Sequence, residues 1–182
     1  MKIWSAVMEG TDILKNKSIL SAQLDTEILM SKALNKNREY IILNHHEALN
    51  KENIKYFKKL IQERATKKPI AYILNKKFFW KYEFYVNKNT LIPRPDTEII
   101  VEQILKVTKN KNNLRILDIG VGSGCILLSI LKEKKNFYGT GIDISKNSLD
   151  ISRINAKKLF VDERVKFFQS DVDKFDQGKY DL

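Results

Sequence analysis

The sequence has few of the residues that build disulfide-bonded, metal-bound or membrane-spanning proteins. Cys125 is its one cysteine in 182 residues, so no internal disulfide can form and no Cys/His cluster is available for a zinc site. No run of about 18 uncharged apolar residues occurs. Lys2, Glu9 and Asp12 interrupt the N-terminus, where a signal peptide would need an apolar stretch. We therefore expect a cytoplasmic protein with no metal centre and no membrane span.

Glycine and proline are also scarce, with seven and three residues respectively. Apolar residues recur at helical spacing from residue 1 to residue 74, which predicts a small helical bundle. One helix is expected from about Ser21 to Leu34 and another from an Asn50 cap to about Arg64. The predicted inner faces of these two helices consist of Leu24, Ile28, Leu29 and Ala33 in the first, and Ile54, Phe57, Leu60 and Ile61 in the second.

The net charge of +11 has two interpretations. Clustered lysines and arginines attract the phosphate backbone of nucleic acids. Here the lysines are spread along the chain and mixed with acids, as in Lys132-Glu133-Lys134-Lys135, which is typical of solvated helix faces. Solvation is the favoured explanation, and a partner that contains RNA stays open.

Residues 75–95 have a different pattern. Aromatic and β-branched residues partly alternate with polar ones between Phe79 and Val86, which predicts a short β-hairpin. These aromatic side chains either fill a core between two domains, the favoured interpretation, or stack on a ligand ring. The segment Leu91–Pro95 must be extended because each proline disfavours a helical predecessor, and Asp96 is expected to cap a helix that starts near Thr97.

Residues 96–182 alternate between strand and helix patterns. Strands are expected at Leu114–Ile119, Phe137–Ile142 and Val165–Gln169. The intervening helices are expected at about Gly124–Lys134 and from a Ser145 cap to about Phe160. Such alternation predicts an α/β fold with a parallel sheet, the first nucleotide-binding half of a doubly wound domain.

A glycine-rich turn, Leu117-Asp118-Ile119-Gly120-Val121-Gly122-Ser123-Gly124, links the first of these strands to its helix. At this place the backbone passes close to a ligand, and side chains would block the approach. The spacing differs from the dinucleotide pattern G-x-G-x-x-G because the third glycine comes two residues after the second. Pyrophosphate binding is therefore less favoured.

Acidic residues follow the second and third strands. Asp143 is placed to accept hydrogen bonds from ribose hydroxyls. It could instead cap the next helix, although Ser145 can do that. Asp171 and Val172 follow the third strand, where an adenine would lie. The ends of three strands together describe a site for an adenosine.

The sequence resembles the class I methyltransferases and, within them, the PrmC/HemK protein-glutamine methyltransferases that modify class 1 peptide chain release factors. The similar segments cover nearly the whole chain. They are Leu24–Glu27, Pro69–Leu74, Phe79-Trp80, Thr90–Glu98 with its Pro93-Arg94-Pro95, the glycine loop, and Gln169–Asp171. The Pro-Arg-Pro segment is the most specific, because other class I methyltransferases lack it.

The resemblance implies a Rossmann-like class I methyltransferase domain that uses S-adenosylmethionine and is preceded by a helical bundle and a β-hairpin. It implies three parts: a substrate-recognition bundle (1–74), a hairpin and linker (75–95), and the first half of the cofactor-binding domain (96–182). The implied cofactor-binding residues are Gly120, Val121, Gly122, Ser123 and Gly124 around the methionine part, Asp143 at the ribose and Val172 beside the adenine. Val121 replaces the family's usual threonine, and some members have an aromatic residue at Val172. Arg94 is expected near the cofactor or substrate entrance, or in a salt bridge.

The family's acceptor motif, Asn-Pro-Pro-Tyr, is not in this sequence and would follow Leu182, so no catalytic residue is assigned. We expect a C-terminally truncated chain, from deliberate shortening or an interrupted gene, that is inactive or poorly active alone. The favoured function is methylation of a glutamine amide in a release factor, with no need for nucleic acid. The alternatives are an adenine-N6 nucleic-acid methyltransferase, which would suit the net charge of +11, and a remnant that only binds a partner.

Overall fold

A computed structural model of the chain describes residues 1–182 and divides them into two compact units, residues 1–74 and residues 75–182. The first unit consists mainly of helices. They are α1 (Ile3–Lys15), α2 (Ala22–Leu34), α3 (Arg38–Leu43), α4 (Lys51–Ala65) and α5 (Ile70–Leu74). None of the chain's helices combines the length and the apolar character needed to cross a membrane.

Helices α1, α2 and α4 surround the core of the first unit. Its most deeply buried side chains are Ile3, Leu14, Leu29, Met30 and Ile61. Burial of a large aliphatic side chain stabilises a fold by about 1.5–3 kcal/mol, so these residues are the main source of the unit's stability. The predicted cap of α4 is confirmed, because the Asn50 side chain accepts a hydrogen bond from the Asn53 amide over 2.7 Å.

The predicted inner face of α2 needs correction at one position. Leu29 and Ala33 are buried as expected, but Leu24 is 45% exposed, and Asp25 and Thr26 are buried instead. Polar residues can face this core because each has a partner. Asp25 pairs with Arg64 of α4 over 2.6 Å, and the Thr26 hydroxyl donates to a backbone carbonyl one turn earlier.

The second unit contains both β-sheets. Its elements are β1 (Lys77–Phe79), β2 (Tyr82–Phe84), α6 (Glu98–Val107), β3 (Arg115–Ile119), α7 (Cys125–Glu133), β4 (Tyr138–Asp143), α8 (Lys146–Lys158) and β5 (Val165–Gln169). Strands β1 and β2 pair antiparallel, which confirms the predicted hairpin. The rings of Phe79 and Phe84 are fully buried and meet edge to face at 6.1 Å, so they belong to the core of this unit.

The segment around Pro93-Arg94-Pro95 is extended at Arg94, as predicted. The expected helix cap at Asp96 is wrong, because Pro95–Thr97 form a single 3₁₀ turn and α6 begins at Glu98. A proline suits the first position of such a turn because its φ angle is already fixed and its missing N–H leaves no bond unmade. Asp96 therefore lies within the turn.

Strands β3, β4 and β5 form a parallel sheet in that order, which confirms the predicted α/β pattern. Their carboxyl ends lie side by side, since Ile119 is in register with Ile142, and Asp143 with Gln169. On its other side, β3 makes backbone hydrogen bonds with residues 181 and 182. The site predicted from the sequence falls on this carboxyl edge.

Candidate functional site

The glycine loop turns from β3 into α7 through left-handed backbone conformations. Gly120 has a φ angle of +77°, and a Cβ atom there would meet nothing within 4 Å, so the space in front of it is open. Gly124 has a φ angle of +80°, and a Cβ atom there would lie 2.7 Å from a methyl group of Leu128. Only glycine tolerates both the backbone angle and the crowding at Gly124. The loop is therefore open towards solvent at its first glycine and tightly packed at its last.

The first three amides of the loop are bound to the end of β4. The amides of Gly120 and Val121 both donate to the carbonyl of Ile142, over 2.8 and 2.9 Å. The amide of Gly122 donates to Oδ2 of Asp143 over 3.0 Å. The end of the neighbouring strand thus determines the shape of the loop.

Asp143 serves the glycine loop and the next helix at once. Its other oxygen, Oδ1, accepts a hydrogen bond from the Ser145 amide over 2.9 Å, while the Ser145 side chain caps α8 through the Ser148 amide. A carboxylate can accept about four hydrogen bonds, so Asp143 keeps capacity for two further donors. Both sequence interpretations of Asp143, ribose contact and helix start, are compatible with this geometry.

Two of the residues predicted to bind the cofactor have buried side chains. Val121 is 5% exposed and packs in the core beside Gly141. Ser123 is 3% exposed. Either residue can therefore reach a ligand only through its backbone. A valine at position 121 suits this buried environment.

Asp118, near the end of β3, is a candidate that sequence reasoning missed as a site residue. Burial raises the pKa of its carboxyl to about 6; a hydrogen bond with the Leu127 backbone opposes this rise, and the negative charge of Asp143 adds to it. A carboxyl with a strongly raised pKa at a strand end is typical of a functional site. The available signal was the pair of acids at the ends of two neighbouring strands.

Exposed apolar side chains follow the same three strands. They are Ile119 at the end of β3, Ile144 after β4 and Val172 after β5, which are 55%, 72% and 49% exposed. Val172 begins a 3₁₀ turn that the Asp171 side chain caps through the Asp173 amide. Apolar surface next to carboxylates suits a flat aromatic ring that also carries polar groups.

Arg94 is exposed and forms no salt bridge, so its predicted structural ion pair is not present.

The chain has no group of three or more His, Cys, Asp or Glu side chains placed to hold a metal ion. Cys125, the first residue of α7, is partly buried, and this burial raises the pKa of its thiol to about 11.

Two cavities lie away from the carboxyl edge of the sheet. A groove of about 350 Å³ in the helical bundle is lined by Trp4, Ile42 and the ion pair between Glu27 and Arg38, among others. A second cavity, of about 380 Å³, lies at the amino end of the sheet near Tyr138. Neither includes the glycine loop.

The chemistry of the carboxyl edge fits S-adenosylmethionine. The open space in front of Gly120 admits a ligand close to the backbone, and the two carboxylates, Asp118 and Asp143, suit a ligand that carries positive charge and hydroxyl groups. The exposed apolar side chains of Ile119, Ile144 and Val172 suit an adenine ring. The open loop, the carboxylates and these apolar side chains thus suit the three parts of the molecule, namely its charged methionine portion, its ribose and its base.

Family models match both units of the chain. Residues 5–74 match the model described as the PrmC N-terminal domain, and residues 110–182 match a model described as a methyltransferase domain. The second match contains the parallel sheet, the glycine loop and Asp143. These features define a class I methyltransferase domain, which uses S-adenosylmethionine.

Curated relatives resemble the chain over most of its length, and a solved structure resembles about half of it. The release factor glutamine methyltransferase of Leptospira interrogans is 38% identical over 172 residues, which cover 93% of this chain and 60% of the relative. The corresponding protein of Buchnera aphidicola subsp. Baizongia pistaciae is 42% identical over 154 residues, which cover 85% of this chain and 55% of the relative. A solved methyltransferase from Thiobacillus denitrificans, in complex with S-adenosylhomocysteine, is 27% identical with a TM-score of 0.41 and covers 48% of this chain and 34% of that one. The chain belongs to the PrmC/HemK family, whose curated members named here are release factor glutamine methyltransferases. It spans about 60% or less of the length of these curated relatives.

The raised pKa of Asp118 predicts how stability depends on pH. Between about pH 4 and pH 6 the folded chain binds a proton that the unfolded chain has lost, so the stabilisation is complete below pH 4 and disappears as the pH rises through 6. We expect Asp118→Asn to raise the free energy of unfolding at pH 7.5 by about 1–2 kcal/mol relative to wild type, with little change at pH 4. Urea unfolding at both pH values measures this difference.

Asp150→Asn is the matched control, because Asp150 is exposed and pairs only with Arg153 on the surface. Its effect should stay within about 0.5 kcal/mol at either pH. If Asp118→Asn had the same small effect as Asp150→Asn at pH 7.5, the pKa of Asp118 would not be raised by its surroundings.

Proposed function

We propose that this chain binds S-adenosylmethionine at the carboxyl edge of its parallel sheet and serves the methylation of a glutamine amide in a peptide chain release factor. The observation that supports the proposal most directly is the hydrogen bond from the Gly122 amide to Asp143, because it joins the glycine loop to the acidic residue at one edge of the sheet. The names of the curated relatives support the choice of substrate.

Each residue of the site has a proposed role. The backbone from Gly120 to Gly124 surrounds the methionine part of the cofactor, to which Val121 and Ser123 contribute only main-chain atoms. Asp143 accepts hydrogen bonds from the ribose hydroxyls, and Val172 lies beside the adenine. Asp118 contributes a negative charge next to the positive charges of the bound molecule.

S-adenosylmethionine supplies an electrophilic methyl group on a sulfonium cation. The nitrogen of a glutamine amide is a weak nucleophile, so the residues around it have to orient it and exclude water instead of activating it through a covalent intermediate. The chain's own hydrogen bonds fix the glycine loop against β4, since the Gly120 and Val121 amides donate to Ile142 and the Gly122 amide donates to Asp143. Arg94, exposed and unpaired, is proposed to lie at the entrance for the cofactor or the substrate.

The helical bundle of residues 1–74 is proposed to recognise the release factor. Its groove presents apolar side chains, of which Trp4 is 55% and Ile42 is 49% exposed, around the ion pair of Glu27 and Arg38. Exposed aromatic side chains beside charged groups are typical of contact residues in protein interfaces. A release factor as partner would place the protein in the cytoplasm, where translation takes place.

The cofactor assignment predicts a specific loss of affinity. Asp143→Ala should weaken the binding of S-adenosylhomocysteine by about 1.5–3 kcal/mol, because it removes a charged hydrogen-bond acceptor. Calorimetric titration of wild type and variant measures the difference. Asp150→Ala, on an exposed surface of α8, is the control and should bind as wild type does. Equal affinities of the wild type and Asp143→Ala would contradict the proposal that Asp143 binds the ribose.

The substrate assignment predicts one added methyl group on a single glutamine of a release factor. The reaction should be followed by mass spectrometry with the chain alone and with the chain joined to the C-terminal part of a curated relative. Trp4→Ala should raise the KM for the release factor roughly tenfold and leave the affinity for S-adenosylhomocysteine unchanged, because it alters only the groove of the bundle.

Leu20→Ala is the matched control for the bundle, since Leu20 is fully exposed and lies outside the groove. Its KM should equal that of the wild type. Methylation of RNA with an unmodified release factor would contradict the proposal and would favour an adenine-N6 methyltransferase instead.

A further inference from the structure

Helix α8 carries a buried polar stripe along one face, formed by Ser148, Ser152 and Asn155. These side chains are 6%, 0% and 0% exposed. Serine and asparagine are unfavourable in helix interiors, and a buried polar group without a partner costs free energy. The side chains of the stripe therefore need hydrogen-bond partners that offset the cost of their burial.

The partners of the stripe lie outside its own helix. Hydroxyls inside helices commonly donate to the carbonyl four residues earlier, as Thr26 and Ser31 do in this chain. Ser152 instead donates to the carbonyl of Gly122 over 2.7 Å. Its hydroxyl thus holds the glycine loop rather than its own helix.

Asn155 uses both amide hydrogens and its carbonyl oxygen in hydrogen bonds. Its Nδ2 donates to the carbonyls of Ser123 and Tyr85, each over 2.9 Å, and its Oδ1 accepts from the Tyr85 amide over 2.7 Å. It therefore links the glycine loop to the segment that follows β2. Ser148 makes a further link to that segment, because its hydroxyl donates to the carbonyl of Asn89.

Three consecutive peptide groups of the glycine loop are thus held by side chains. Asp143 accepts from the Gly122 amide, Ser152 donates to the Gly122 carbonyl and Asn155 donates to the Ser123 carbonyl. In a planar trans peptide the carbonyl and the following N–H point in opposite directions. The bond from Ser152 to the Gly122 carbonyl therefore directs the Ser123 N–H away from α8.

We infer that Ser152 and Asn155 are positioning residues that hold the glycine loop in the shape required for cofactor binding and tie it to the segment leading to Pro93-Arg94-Pro95. This inference rests on the proposed function, because it assumes that the loop binds the cofactor. Neither side chain touches the ligand. They act through the backbone of Gly122 and Ser123.

Ser152→Ala tests the inference, since it removes one hydroxyl and leaves the helix propensity of α8 intact or improved. The affinity for S-adenosylhomocysteine, measured by calorimetry, should fall roughly fivefold to fifteenfold, the effect of one lost hydrogen bond. In the ligand-free chain, the amides of Gly122 and Ser123 should exchange with solvent about tenfold faster, because the loop opens more often. Asn155→Asp should reduce the affinity further, because two donated bonds become contacts between oxygens.

Ser129→Ala is the matched control. Ser129 is a fully buried serine of α7 whose hydroxyl has no hydrogen-bond partner, so its removal changes neither the loop nor the affinity. Thermal unfolding of all variants separates a loss of stability from a loss of affinity. A purely structural role for Ser152 would lower the unfolding temperature and leave the affinity of the folded chain unchanged.

The inference is overturned if Ser152→Ala binds S-adenosylhomocysteine as Ser129→Ala does and its loop amides exchange at the wild-type rate. If the wild-type chain itself fails to bind the ligand, the proposed function falls. The loop-holding role of Ser152 is then decided by the exchange rates alone, which do not depend on any ligand.

Discussion

The candidate site depends on the hydrogen bond between the Gly122 amide and the Asp143 carboxylate. A loop that turns through left-handed conformations cannot satisfy its peptide groups with regular secondary structure, so each group needs an outside partner. Strand β4 provides Asp143 and the carbonyl of Ile142, and helix α8 provides Ser152 and Asn155. The loop is therefore formed only when the sheet and α8 have come together, which couples the site to the fold of residues 75–182.

The electrostatics of the site differ from those of the whole chain. The protein carries a net charge of +11, yet acidic side chains that include Asp118 and Asp143 lie at the carboxyl edge of its sheet. Burial and the negative charge of Asp143 disfavour the charged form of Asp118, and the positive charge of a ligand beside it would offset both effects. A cofactor with a sulfonium and an ammonium group meets this requirement.

Much of the fold could be predicted from the sequence, because its signals are local. The β-branched strands, the cap at Asn50 and the glycines between β3 and α7 each act over a few residues. Of the two errors, the cap expected at Asp96 has a local cause, the 3₁₀ turn at Pro95–Thr97, and the other arose where a distant partner decides the structure. Leu24 faces outward because Arg64, from another helix, allows Asp25 to be buried in its place. The polar stripe of α8 was likewise unpredictable, since its partners lie some 30 and 70 residues away in sequence.

The central claim is that the cofactor binds at the carboxyl edge of the sheet. Titration of the isotope-labelled chain with S-adenosylhomocysteine, followed by amide NMR, tests it directly. The account predicts that the largest shifts occur at Gly120, Gly122 and Asp143, while the Trp4 amide in the bundle groove stays unchanged. Shifts confined to Trp4, or to Tyr138 at the amino end of the sheet, would place the ligand in another cavity and contradict the account.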